Sequence, residues 1–493
     1  MAFSMAWNGA GGGVSGGAAD AAGVLAGFRE DLYWSLISRR DALFELCDAV
    51  LLAPGRVSDL ARLSLVPGFR RGHGAVYDAL NAGHVGIARL RRALAGLPLP
   101  SWPDGRIRLA VDVSSWLRPD AGTSPGRLLC HVPGRGKNAG QVVPGWPYSF
   151  VAALGPGASS WTLLLDAVRL GPDDDGCAVT AVQLREVVCR LIAAGHWQDG
   201  DPEIIIAMDA GYNATRLAWL LRDLPAVLVA RVRSDRVYCR AAPPKARGVS
   251  GRHARHGAPV RCADPATQGG ASAQHEGLAR HGPVRATAWT RVHPEVHRHT
   301  AGFGDWPEDR ELPLIEGTLI RLSAAPGPGW PAGEAMWLWA STPLPDDAGI
   351  RVLWQAYLRR FDIEHTFRFL KQQLGWTRPL LRDPAAADRW TWLLAAACAQ
   401  LWLARNLAAV TRLPWQPRQP AAVMTPARVR AGFPRARAAA GTPARTPKPG
   451  RPGPGRPKGS KNKRKAPRHR PGKTTLKQPR QAKNPRKQAK QTS

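Results

Sequence analysis

The chain lacks several things that whole protein classes require. Its most apolar stretch, Trp390 to Leu403, is 14 residues long and contains Gln400. That falls short of the ~18 residues needed to cross a bilayer. The N-terminal region is Gly/Ala-rich, with no basic segment before an apolar core, so no secretory signal is expected. Seven cysteines, at 47, 130, 177, 189, 239, 262 and 398, include no C-x-x-C pair. That dispersed, odd set argues against a disulfide framework or a zinc finger and fits a reducing compartment. Gly134-Arg135-Gly136-Lys137 has neither the earlier glycine nor the following Ser/Thr of a phosphate loop, so no nucleotide cofactor is implied. Lysine is scarce: only Lys137, Lys245 and Lys371 precede residue 448, and the chain has six tyrosines.

What is present is positive charge and enough apolar residues for a core. Hydrophobic residues make up 44% of the 493 residues, and the formal net charge is +32. A soluble chain this basic expects a polyanionic partner, and nucleic acid is the first choice. Residues 441–493 carry 18 Lys/Arg and no Asp or Glu. With few large apolar residues, that tail cannot offset its ordering entropy and is expected to be disordered. Within it, Gly450-Arg451-Pro452 and Gly455-Arg456-Pro457-Lys458 repeat a Gly-Arg-Pro core. Two readings stay open. One is an AT-hook-like segment placing Arg451, Arg456 and Lys458 in a narrow minor groove; the other is a solvated basic tail on phosphates.

The coarse organisation follows from periodicity. Residues 28–98 read as helices, with Leu32, Leu36, Ile37, Leu43 and Phe44 at helical spacing. They suit either a helix-turn-helix or an ordinary bundle. From Arg106 short apolar runs read as strands: 106–113, 148–154, 161–170, 204–208 and 226–232, with helices at 179–194 and 213–224. Strands followed by alternating helix and strand imply an α/β core. Residues 236–335 read as an insertion, partly β and partly loop. The core resumes at 336–341, followed by one long helix from about 350 to 374 and an apolar helix over 385–410. Residues 413–440 read as a Pro/Arg-rich linker.

The long helix carries the chemistry. At ~100° per residue, Tyr357, Arg360, Glu364 and Lys371 share one polar stripe. Arg359, Asp362, Thr366 and Gln373 form a second, opposed one. A surface helix needs only one polar face, so two suggest that one lines a polar site. The spacing is Y-x2-R-x3-E-x6-K. It resembles the signature of the Y-R-E-K group of bacterial insertion-sequence DDE transposases, in which the glutamate is the third acid of an Asp-Asp-Glu triad. The resemblance expects two aspartates upstream on core strands. Asp209 follows the run Ile204–Met208 and opens Asp209-Ala210-Gly211-Tyr212, close to the family's D-x-G-[YF]. Asp112 ends the run Arg108–Val111, with Ser114 where the family often has Thr.

The resemblance implies an RNase H-like catalytic core with a β-rich insertion, an N-terminal helical domain and a disordered basic C-terminal tail. Composition and periodicity set the boundaries at 1–27 (disordered leader), 28–100 (helical DNA-binding domain), 101–235 and 336–412 (the two parts of the core), 236–335 (insertion) and 413–493 (linker and tail). It implies Asp112, Asp209 and Glu364 as catalytic residues and ligands of two Mg2+ ions, with Mn2+ a possible substitute. Oxygen-only ligands suit these metals. Two metals can activate a water or 3′-hydroxyl and stabilise the leaving oxygen. By the same resemblance Tyr357, Arg360 and Lys371 hold DNA phosphates, the partners are transposon ends and target DNA, and the enzyme is a homodimer in a synaptic complex. No membrane partner is implied, and the expected location is the bacterial cytoplasm, at the nucleoid. The alternatives are an RNase H-like nuclease without strand transfer and an inactive or domesticated copy that only binds DNA. Trp289 and Trp306 are candidates to receive a flipped base, but packing is the simpler role. His293, His297 and His299 form H-x3-H-x-H, which matches no known ligand pattern and is set aside as a metal site.

Overall fold

The computed structural model describes residues 14–132, 140–157, 160–244, 253–279, 282–297, 303, 306–307, 309–324, 335–342, 347–410, 424–448, 459–460 and 465–472. The Gly-Arg-Pro repeats with Arg451, Arg456 and Lys458, the loop 134–137 and His299 lie outside them.

The chain opens with helices: α1 (Val14–Ser35), α2 (Arg40–Leu52), α3 (Leu60–Leu63), α4 (Gly74–Ala82) and α5 (Ile87–Ala95). Two short strands, β1 (Leu36–Ser38) and β2 (His84–Val85), pair across them. The helix α1 begins inside the stretch read as a disordered leader. Alanine favours helix, and Leu25, Phe28 and Leu32 anchor this one in the core.

A mixed sheet follows, built from β3 (Arg108–Leu117), β4 (Leu128–Val132), β5 (Gln141–Leu154), β6 (Thr162–Arg169), β7 (Ile204–Met208), β8 (Ala226–Val232), β9 (Val237–Ala241), β10 (His256–Arg261), β11 (Ala273–Ala279), β12 (Gly282–Pro294), β13 (Gly317–Ala324) and β14 (Met336–Ala340). Its order is β10-β9-β12-β13-β14-β8-β7-β3-β5-β4, with β6 also on β5 and β11 also on β12. The strands β3, β7 and β8 are parallel neighbours at its centre. Every residue of β7 is buried, as a run of Ile-Ile-Ile-Ala-Met covered on both faces must be. The stretch read as an insertion adds no separate sheet. Its strand β13 pairs with β14, and β14 pairs with β8, so the sheet runs on without a break.

Helices cover both faces. They are α6 (Gly176–Ala193), α7 (Ala214–Leu220), α8 (Asp347–Arg359), α9 (Asp362–Gln372), α10 (Pro384–Val410) and α11 (Pro426–Ala440). On one face of β7 and β8, Ile205, Ala207, Val227 and Val229 pack with Ile350, Leu353, Trp354 and Tyr357 of α8. Helix α9 packs on β3, β5 and β6. There Phe367 meets Phe150, which in turn contacts Trp376, itself fully buried. The middle of helix α10, residues 390–404, is apolar almost throughout and buried on all sides, and the helix packs against α1, α2, α4, α5, α11 and β6. Among the described residues no helix is long and apolar enough to cross a membrane.

Two C-terminal segments depart from the sequence expectation. Part of the stretch read as linker is α11, capped by Thr425 with Pro426 at its first turn and held by buried Val429 and Phe433. Part of the tail, 465–472, lies along the sheet. Gly472 bridges Leu128, donating to Arg127 O and accepting from Leu129 N–H, while His469 N–H donates to Gly122 O. Backbone bonds of this kind need no apolar side chains, which is why composition did not reveal them.

Candidate active site

The parallel register builds the first half of the site. Val111 of β3 lies opposite Met208 of β7. The next residue on each strand is an aspartate, so Asp112 and Asp209 stand side by side, about one strand spacing (~4.8 Å) apart in backbone. Asp209 leaves its strand at the carboxyl end, as the sequence suggests. Asp112 does not: β3 continues to Leu117, paired with β5 throughout, so Asp112 sits mid-strand. The polar residues after it, Ser114 and Ser115, stay in the ladder because β5 supplies partners for them. Asn213 caps α7 by accepting from Arg216 N–H, which turns the chain away just after Asp209.

The second half comes from a break in the long helix. Periodicity predicts one helix over about 350–374, but two are present, separated at Arg360 and Phe361. Arg360 N–H reaches both Ala356 O and Tyr357 O, and Ile363 and Glu364 donate to Arg360 O and Phe361 O, three residues back. This tighter, 3-10-type turn re-aims α9. Tyr357 ends up on α8, Glu364 and Lys371 on α9, and Arg360 at the joint.

Three carboxylates converge on the Arg360 guanidinium. Its Nη1 donates to Asp112 Oδ2 at 2.9 Å. Its Nη2 lies 3.4 Å from Glu364 Oε1 and 3.9 Å from Asp209 Oδ1. Asp112 Oδ1 also accepts from Val113 N–H. The Arg360 side chain is 6% exposed and Asp112 19%, whereas Asp209 is 46% and Glu364 40% exposed. The arginine is therefore the floor of the cluster, and two acids form an open mouth. Burial pushes the Asp112 carboxyl up to about 6, aided by the Asp209 and Glu364 charges and opposed by Arg360 and the Val113 N–H. Burial works to lower Arg360, but Asp112, Tyr357, Asp209 and Glu364 outweigh it and raise the guanidinium's pKa. The Tyr357 ring lies 5.7 Å from the guanidinium carbon, and burial raises the pKa of its hydroxyl.

The structure thus gathers Asp112, Asp209, Glu364, Arg360 and Tyr357. Lys371 stands apart. It lies two turns beyond Glu364, about 10 Å at the helical rise, with its ammonium 5.7 Å from the Trp376 ring and its pKa lowered by burial. One neighbour has no counterpart in the sequence expectation as a site residue: Tyr212. Its hydroxyl is buried beside the cluster, and burial and then the Asp112 charge drive its pKa well up, against Ser149 and Arg360. Only its place three residues after Asp209 hinted at it. Trp289 is buried and stacks on Trp337, and Trp306 packs edge-on against Trp219, so both serve packing. His293 is buried in β12, while His297 is exposed beside Glu295.

Comparison with known proteins adds family and likeness. The family model described as DDE superfamily endonuclease matches residues 31–295. That segment contains Asp112 and Asp209 and ends before Arg360 and Glu364. A cryo-EM structure of the piggyBac transposase synaptic complex with hairpin DNA is similar at 10% identity and a TM-score of 0.40, covering 81% of this chain and 72% of that one. No curated protein matches the chain. With more than half its length matched, from the first helices through the strands that carry both aspartates, the chain belongs to the DDE superfamily endonucleases.

Proposed function

We propose that the chain is a transposase of the Y-R-E-K insertion-sequence group, which binds element ends and catalyses DNA strand cleavage and strand transfer through Asp112, Asp209 and Glu364. The observation that carries this is the meeting of three acids, from β3, the end of β7 and α9, around one guanidinium at an open mouth. Such a cluster is self-repelling unless cations balance it, and an all-carboxylate donor set fits Mg2+ or Mn2+, two ions by the family's pattern. Divalent cations held there supply Lewis-acid activation of a water or 3′-hydroxyl and stabilisation of the leaving oxygen.

The chain's own residues orient the DNA. Tyr357, Arg360 and Lys371 are proposed to meet phosphates. Arg360 is nearly closed to solvent, so a phosphate would engage Nη2, whose contacts with Glu364 and Asp209 are the long ones. Residues 28–100 would bind element ends, Arg451, Arg456 and Lys458 of the tail would add minor-groove or phosphate contacts, and two copies would pair two ends. The test is cleavage of DNA carrying the element's ends with Mg2+ or Mn2+. Nicking at the ends supports the reading. Binding without cleavage under either metal overturns it and leaves a DNA-binding protein.

Metal affinity should depend on pH. The Asp112 carboxyl is protonated below about 6 and must lose that proton to bind a cation. Lowering the pH from about 7.5 to about 5 should weaken Mn2+ binding, measured calorimetrically, by about ten-fold, with proton release visible as a buffer-dependent heat. Affinity unchanged over that range would remove Asp112 from the ligand set.

A further inference from the structure

Far along the sheet from the acids, three strands bring together a thiol and two imidazoles. His293, near the end of β12, lies opposite Cys239 of β9 in register. On the other side of β9, β10 carries His256, next to an irregularity between His256 and Pro259. That irregularity lets the His256 ring reach past β9 to the β12 side. His256 Nδ1 and His293 Nε2 are 2.8 Å apart, and one ring nitrogen of each histidine and the Cys239 sulfur all lie within 4.8 Å of one another. Cys239 and His293 are buried, and His256 is half-buried, so the group opens to solvent on one side only. The His293 Nδ1 atom is buried with no hydrogen-bond partner. Cys239 has no disulfide partner.

We propose that Cys239, His256 and His293 form a structural zinc site that staples the β9–β10 hairpin to the main sheet. One thiolate and two neutral imidazoles are a borderline-soft set, which selects Zn2+ over the hard cations that suit the carboxylate cluster. Around a tetrahedral zinc the two nitrogens sit about 3.3 Å apart at Zn–N bonds of ~2.0–2.1 Å. Holding the ion opens the imidazole pair by about half an ångström and draws the sulfur, within 4.8 Å in this structure, to about 3.6 Å from each nitrogen. Three protein ligands leave a fourth position for water, and the half-buried His256 marks the side by which it can enter.

The location explains the need. Among the described residues, His293 with Cys239 and Pro294 with Tyr238 are the pairs that set β9 against β12, a short backbone junction between the hairpin and the sheet. A ligand from each of three strands, at that same junction, fastens it. Four strands separate β9 from β7, which puts the site roughly 24 Å from Asp209 at ~4.8 Å per strand. The metal is therefore structural and takes no part in strand cleavage. The ligands stand apart in sequence, and H-x3-H-x-H is not the motif: His297 is exposed and contributes nothing to the cluster.

The test is metal content of the full-length, untagged chain grown with zinc. About one zinc per chain is expected, with a thiolate-to-cobalt charge-transfer absorption when Co2+ replaces it. Cys239→Ala should abolish that band, and His293→Ala should cut the zinc content at least five-fold, while Asp209→Asn and His297→Ala keep both. Should either cluster variant fail to fold, the isosteric Cys239→Ser and His256→Gln take their place, and the band must vanish in the first and weaken in the second. Absence of zinc and of the band overturns the proposal and leaves a His256–His293 hydrogen bond beside a packed thiol. Zinc retained equally in Cys239→Ala and His293→Ala overturns it by placing the ion elsewhere.

Discussion

Glu364→Gln should lower metal-dependent cleavage of element-end DNA by about 10³-fold or more, with DNA affinity within about two-fold of wild type and little change in thermal stability. The substitution keeps shape and removes one charge. The contact it weakens in the free protein is a 3.4 Å approach to Arg360 by a side chain 40% exposed. An exposed pair of this kind is worth at most about 1 kcal/mol. In the proposed mechanism this charge would bind the catalytic cations, so its loss would remove stabilisation made chiefly in the transition state, where single groups account for factors of 10²–10³ or more. Asp209→Asn, with its carboxylate at the same open mouth, should behave alike. The control is Asp362→Asn. Asp362 lies two residues before Glu364, but it is buried and pairs with Arg359 at 2.7 Å, away from the cluster. It should lose stability and keep cleavage per folded molecule. Cleavage spared in Glu364→Gln, or lost equally in Asp362→Asn with the fold intact, would remove Glu364 from the mechanism.

The acids were legible because their signal is local. Asp209 follows a wholly apolar run, and Glu364 sits in a spacing of four residue types, two of them scarce in this chain. The helical wheel also grouped Tyr357, Arg360 and Glu364, though it assumed a helix that the structure breaks at Arg360 and it put Lys371 in the same stripe, where the structure leaves it apart. A short 3-10-type turn leaves almost no trace in periodicity, because the residues on either side keep helical spacing. Asp112 read as the end of a strand because Ser114 and Ser115 are polar. The pairing with β5 that carries β3 onward is a tertiary fact. The same holds for the insertion, whose strands join the one sheet through β13 and β14, and for Cys239, His256 and His293, which only register brings together. Burial of the Tyr212 hydroxyl has no sequence signature at all.

Another tertiary feature should dominate stability. Arg29 of α1 is wholly buried and makes a bidentate pair with Asp48 of α2, at 2.7 and 2.9 Å. It also donates to Gln400 of α10 and to Gly441 O, at the end of α11. Arg437 of α11 adds a second guanidinium on Asp48 at 2.9 Å. One carboxylate therefore ties three helices together, and its chief arginine also bonds to α10. Asp48→Ala leaves Arg29 charged and buried with only neutral acceptors, and should cost about 3–5 kcal/mol. Denaturant unfolding followed by tryptophan fluorescence measures it. Arg437, a quarter exposed, can turn to water and adds little to that cost. Arg29→Met alone should cost a similar amount, because Asp48 is then buried against Arg437 only. Combined with Asp48→Leu it should cost far less than the sum of the single changes, since the charge and its partner leave together and apolar groups of similar volume fill the space. Additive losses would show that the two side chains act separately and that the network is not what joins the bundle. The consequence reaches the sheet, because α10 packs on β6, which pairs with β5. A bundle loosened at Asp48 would release β6, and with it the surface on which α9 sets Glu364.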